Sequence, residues 1–154
     1  MTKRHSAYDL TRFVQAQESG IGFGVGSYDM ALREICAGRK SSHWIWYIFS
    51  QLGGLGKSEM SRRYALHGAD EARAFLDHPV LGAHLREITQ ALLLVEERNP
   101  VIVMGSAIDA RKLCSSMTLF AQVAEDETLF ADVLDAYFDG RRDRRTLAML
   151  RSRG

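Results

Sequence analysis

Only two prolines, Pro79 and Pro100, interrupt this chain, and apolar residues between the breaks recur at helical 3–4 spacing almost throughout. A polypeptide with so little period-2 alternation hides its apolar surface by packing helices against one another. Asp9 can cap a helix carrying Leu10, Phe13, Val14 and Gln17, and Ser27 can cap a second with Met30, Ala31 and Ile35 inward and Gly38 as its stop. A third begins at Ser58 and ends near Gly68, and a short fourth covers Asp70–His78. Pro79 suits the first turn of a longer helix bearing Leu81, Leu85, Ile88, Leu92 and Val95, which Asn99-Pro100 ends. Further helices cover about Ser106–Cys114, with a possible restart at Ser116, and Asp126–Phe138 before Gly140. An amphipathic turn, Thr146–Leu150, leads to a basic end. Trp44–Phe49 has the composition of a strand but no alternation, so a buried helix fits equally, and Val101–Val103 is too short to decide. With no second strand to pair with, the expected fold is all-α: a compact, multi-helical single domain over residues 1–154 with no substantial sheet. Residues 1–7 and 151–154 are expected to be flexible, and 20–26 to form a glycine-rich loop.

Composition narrows the class. At 154 residues, 46% hydrophobic and 25% charged, the chain matches an ordinary soluble domain and excludes disorder, a collagen or a disulfide scaffold. The longest apolar runs, Trp44–Phe49 and Ala91–Val95, fall far short of the roughly twenty residues of a membrane span. Met1–Asp9 carries Lys3, Arg4 and His5 with no apolar run behind them, unlike a signal peptide. Cys36 and Cys114 are far apart and outside any C-x-x-C pair, which reads as two buried thiols in a reducing compartment, by default the cytoplasm. A formal charge of +1 argues against a dedicated nucleic-acid binder, and no membrane partner or cofactor is implied.

Two glycine-rich stretches imitate nucleotide-binding motifs. Gly20–Gly26 follows a helical pattern, not the strand that a dinucleotide fold requires. Gly53-Gly54-Leu55-Gly56-Lys57-Ser58 leads into a helix as a P-loop would, but Gln51 stands where the Walker pattern needs glycine. That turn can still present free N–H groups and a positive dipole end to an anion, or Ser58 can simply cap while Lys57 is solvated. Lys112, Ser115, Ser116 and Thr118 gather a second set of small polar donors in an apolar setting, and Ser115 or Ser116 would be another capping anion site if a helix restarted there. Asp109 shares a helix face with Lys112 and offers an acid or base beside that cation, or else a surface ion pair. Ser42–Tyr47 packs His43, Trp44, Trp46 and Tyr47 together. Trp44 and Trp46 cannot both face one side, so one of them can line a cleft while the other fills the core. The five histidines, His5, His43, His67, His78 and His84, show no i,i+4 pairing, so no metal site is expected. A hydrolase triad lacks its G-x-S-x-G elbow.

Tyr8-Asp9-Leu10, Arg12-Phe13-Val14 and Ala16-Gln17, then Gly38 to Phe49, Gly54-Leu55-Gly56 with Ser58, His78 to Gly82, Asp109, Lys112-Leu113 and Ser115 to Phe120 together resemble the bacterial family called domain of unknown function 1810. The resemblance covers nearly the whole chain and implies a compact, mostly helical domain without supplying an activity. Ser50 stands before Gln51 where members often have proline, so the turn there should differ. Some members carry the label calpastatin, which suits a long disordered repeat protein and not this short, repeat-free chain.

These residues lead to one expected function and one alternative. The first is a pocket for a small anionic ligand of nucleotide or sugar-phosphate type, with hydrolase or transferase chemistry as the reaction class if chemistry follows binding. His43 and Trp46 would shape it, Gln51, Ser58, Lys112, Ser115, Ser116 and Thr118 would bind, and Asp109 would serve as general base. The alternative is a protein-interaction module that uses the acidic 125–139 helix and the arginine-rich C-terminus. Residues 141–154 hold six arginines and one aspartate (+5), leaving fourteen basic against eighteen acidic residues (−4) in 1–140. The small net charge is thus a cancellation between neighbours, and the tail is expected to fold over the acidic helix or stay solvated.

Overall fold

Short polar side chains set where the helices begin. Ser27 Oγ accepts the Met30 N–H (3.3 Å) at the head of α2 (Tyr28–Cys36), and Ser58 Oγ accepts the Ser61 N–H (3.1 Å) at the head of α4 (Glu59–Arg63). Asp9 Oδ1 accepts the Thr11 N–H (3.0 Å) beside α1 (Thr11–Ser19), and that bond holds its carboxyl below the usual range. Asn99 and Pro100 open α7 (Pro100–Met104), and Ser106 Oγ accepts the Asp109 N–H (3.1 Å) to open α8 (Ala107–Val123). The chain is seen here in a computed structural model that describes residues 8–21 and 25–153. The expected flexible start, with His5, and positions 22–24 of the glycine-rich loop lie outside the described residues, as does 154.

The remaining elements are α3 (Ile45–Ile48), α5 (Ala69–Asp77), α6 (Leu81–Leu94), α9 (Leu129–Phe138) and α10 (Arg144–Arg153). The described residues therefore form an all-α fold of ten helices and no sheet, with Leu52 and Leu66 joined by an isolated bridge. That bridge explains why α4 stops at Arg63 and does not reach Gly68: Leu66 N–H is drawn to the Gln51 carbonyl (3.0 Å) and leaves the helical path. The strand-like run at Trp44 becomes the single turn α3, and Val101–Val103 lies inside α7. Pro79 sits in the turn before α6 because His78 Nδ1 takes the Val80 and Leu81 N–H groups (3.1 and 3.2 Å) and does the capping. α8 runs unbroken through Ser115 and Ser116, with no restart: the Ser115 and Thr118 hydroxyls bond back to the Arg111 and Cys114 carbonyls (3.1 and 2.8 Å) inside one helix. At the C-terminus a full helix replaces the expected turn and flexible end, since α10 continues to residue 153.

α8 is the centre of the packing, meeting α9, α7, α5, α10 and α3. A relay of rings crosses the core beside it. Tyr47 meets Tyr64 (5.1 Å between centroids), Tyr64 meets Phe13 (5.8 Å), Phe13 meets Phe75 edge-on (5.1 Å), and Phe75 leads through Phe120 to Phe130 (5.6 and 5.7 Å). The phenylalanines of this relay are fully buried, and each contributes about 2–3 kcal/mol of transfer free energy. The cysteines differ from expectation: Cys36, at the C-terminus of α2, is exposed, and Cys114 is only partly buried, its thiol facing the Arg141 carbonyl (3.7 Å). Both are free thiols, and burial pushes that of Cys114 up. No described helix is long and apolar enough to cross a membrane.

Candidate functional site

The histidine–tryptophan block divides into two halves with opposite fates. Its first half is stapled. Glu34, on α2, accepts the Ser41 and Ser42 N–H groups (2.8 and 2.9 Å), the Ser42 hydroxyl (2.5 Å) and the Trp44 Nε1–H (2.9 Å). Burial pushes the Glu34 carboxyl up, but these bonds, that from Ser42 foremost, overcome it and hold the group at about 2. Lys40 is buried in the same segment. Its Nζ meets Asp109 Oδ2 at 2.8 Å, donates to the Ser42 carbonyl at 2.7 Å and lies 5.0 Å from the Trp44 ring centroid. Asp109 thus serves as the counter-ion of Lys40, pinning the 40–44 segment to α8.

The second half opens into a cleft. Trp44 begins α3, Ser50 closes it by donating its hydroxyl to the Trp46 carbonyl (2.9 Å), and Trp46 is left partly exposed between them. Serine makes at this position a bond that proline has no hydroxyl to make. Trp46, Gln51, Ser61, Tyr64 and Lys112 surround a floor of Ile45 and Phe49, enclosing about 210 Å³ that includes solvent at the mouth. Lys112 Nζ lies 5.8 Å from the Trp46 centroid, at the outer reach of a cation–π contact. Lys112 has no acidic partner among the described residues, and Trp46 Nε1 is buried without an acceptor. Arg63 adds positive charge over Tyr64, 5.8 Å from its centroid. The lining contains no carboxylate.

Of the residues singled out in the sequence, Trp46, Gln51 and Lys112 come together here. His43 is exposed outside the lining, and its carbonyl faces the Tyr47 hydroxyl (3.5 Å). Ser58 caps α4 and touches the cleft only through Ser61, its hydroxyl 3.0 Å away. Ser115 and Thr118 hold the start of α10: the Ser115 Oγ–H, shared with the Arg111 carbonyl of its own helix, lies 3.0 Å from Asp143 Oδ2, Thr118 Oγ1 accepts the Asp143 N–H (2.9 Å), and Asp143 in turn accepts from Thr146. Ser116 is fully buried and its hydroxyl has no partner. Among the described residues no group of three or more His, Cys, Asp or Glu is placed to hold a metal.

Sequence reasoning missed a second polar cluster. His84 stacks on Tyr28 (3.7 Å, 3°), the Tyr28 hydroxyl donates to Glu87 Oε1 (2.7 Å), and His84 Nδ1 lies 2.7 Å from Gln17 Oε1. Gln17 Nε2 donates to the Tyr47 carbonyl (2.8 Å), which fixes the amide and makes His84 Nδ1 the protonated nitrogen. Burial lowers the His84 pKa and raises that of Tyr28. No spacing signals this cluster, because its members come from α1, α2 and α6. Ser61 had a signal, three residues after a capping serine.

No curated protein matches this chain. A solved structure does: the conserved hypothetical protein Rv1873 from Mycobacterium tuberculosis shares 40% identity and a TM-score of 0.85, over 94% of this chain and 98% of that one. The family model described as "Protein of unknown function (DUF1810)" matches residues 7–150, the cleft, the Glu34 staple and the α10 seat included, and the chain belongs to that family.

Proposed function

We propose that the Trp46–Lys112 cleft binds the anionic end of a small ligand, of nucleotide or sugar-phosphate type. The observation that carries this reading is Lys112, an ammonium held over an indole at the mouth of a cleft with no carboxylate to neutralise it. The Gln51 amide and the Ser61 hydroxyl supply neutral donors in the same lining, and the Trp46 Nε1–H is buried without an acceptor. The cleft has enclosed room for little more than a water molecule, so a terminal anionic group rests against its opening and the rest of the ligand stays outside. The reading is one of binding. Hydrolysis or transfer needs a base, and Asp109 is engaged with Lys40. Two unpaired thiols suit the reducing cytoplasm that such metabolites share.

The test is a thermal-shift and calorimetric comparison of wild type and Lys112→Ala against inorganic phosphate, a sugar phosphate and ADP-ribose. Loss of one charge-assisted contact should weaken binding by about 1.5–3 kcal/mol, roughly ten- to a hundredfold. Equal affinity in both proteins would remove the cleft from consideration. A second reading, an interaction module, is favoured by one observation: no described ion pair joins the arginines of α10 to the acids of α9, and Glu127 pairs with Arg86 (2.8 Å). Both charged faces would then await a partner, and salt-dependent self-association in light scattering would reveal it.

A further inference from the structure

The C-terminal helix returns to the cleft by a closed circuit of contacts. Ser115 and Thr118, on the helix that carries Lys112, seat Asp143 at the head of α10. Two residues later Arg145 donates from Nη2 to the Gly54 carbonyl (3.3 Å). Gly54 lies in the turn that ends at Gly56, where a Cβ would press into Ser61 and lie 3.2 Å from Gln51 Nε2, so this turn backs directly onto two lining residues. Arg145 is exposed and has no acidic partner among the described residues. The carboxylate nearest in sequence, Asp143, is engaged by Ser115 and by the amide and hydroxyl of Thr146. One guanidinium donor is used on Gly54, and the others are free to meet an anion.

We infer that the ligand carries a chain of two or more phosphates, the first held at Lys112 and the next by Arg145 on the Gly54 side of the cleft. This rests on the anion-binding reading above and adds the ligand's charge number, the second binding residue and a role for the folded basic terminus. A cation lining the cleft and an arginine anchored on the turn that packs against two lining residues would select for length of phosphate chain, because the arginine adds a charge-assisted bond only when a second anionic group extends beyond the cleft.

Calorimetry on the full chain with phosphate, pyrophosphate, tripolyphosphate and ADP tests it. In wild type, pyrophosphate should bind about tenfold or more tighter than phosphate. Arg145→Ala should abolish that preference, bringing pyrophosphate down to the affinity of phosphate, and Arg151→Ala, on the same helix, should leave the preference intact. A preference absent in wild type, unchanged in Arg145→Ala, or reduced equally by Arg151→Ala overturns the inference and leaves the cleft reading standing. Undiminished phosphate binding in Lys112→Ala sinks the cleft reading itself. ADP binding tighter than pyrophosphate assigns the chain to a nucleoside, and equal or weaker binding to a bare polyphosphate; both sustain the inference.

Discussion

Two lysines stand over two tryptophans in this molecule, and only one of the pairs is closed. Lys40 lies 5.0 Å from the Trp44 centroid with its ammonium bonded to Asp109 and the Ser42 carbonyl, while the Trp44 N–H is held by Glu34. Lys112 lies 5.8 Å from the Trp46 centroid with no acid beside it, and the Trp46 N–H has no acceptor. Both pairs draw on the same stretch of chain and the same helix, since Asp109 and Lys112 are three residues apart on α8. The same residue types hold the fold together where their polar groups are paired with each other, and leave donors over where they are not.

The largest expected effect falls on the closed pair. Lys40→Met strands the Asp109 carboxylate and should cost about 3–5 kcal/mol in urea unfolding, whereas Lys112→Met should cost about 1 kcal/mol or less. Similar losses in the two variants would mean that the open pair also holds the fold. Next comes acid. Glu34 sits at about 2 when folded against an ordinary 4.5, so the unfolded chain binds its proton first. Its stabilisation is complete above about pH 4.5 and drains away as pH falls towards 2. Glu34→Gln should flatten this acid limb of a stability–pH profile and cost about 1–3 kcal/mol at pH 7; an unchanged limb would show that the staple is not ionic. The smallest effect is expected at Ser116, whose buried hydroxyl has no partner. Ser116→Ala should alter the melting free energy by about 0.5 kcal/mol or less, or stabilise, and a larger loss would mean that the hydroxyl is paired.

What the sequence disclosed is mostly what it encodes locally. Ser27, Ser58 and Asn99 act within three residues of themselves, and the 3–4 periodicity of Leu81 to Leu92 needs no distant partner, so these caps, that helix and the fold class were legible. Trp46, Gln51 and Lys112 stood out because they are polar or polar-ended residues in apolar blocks, and they meet in the cleft. The employment of their neighbours was not legible. Asp109 was read beside Lys112, on its own helix face, but its partner Lys40 arrives from a distant part of the chain. Ser115 and Thr118 resembled ligand donors, yet their acceptor and donor is Asp143, which only the packing of α10 on α8 brings near. The Gln17–His84–Tyr28 cluster left no trace for the same reason: three helices supply one residue each.

α8 spans 17 residues without a kink-forming restart, and Asp109, Lys112, Ser115 and Thr118 stand on about 14 Å of it. The Lys40 segment, the mouth of the cleft and the seat of the C-terminal helix are therefore three fittings on a single lever. A slide or tilt of α8 at Lys112 would bear on the Lys40–Asp109 pair on one side and on the Asp143 seat on the other.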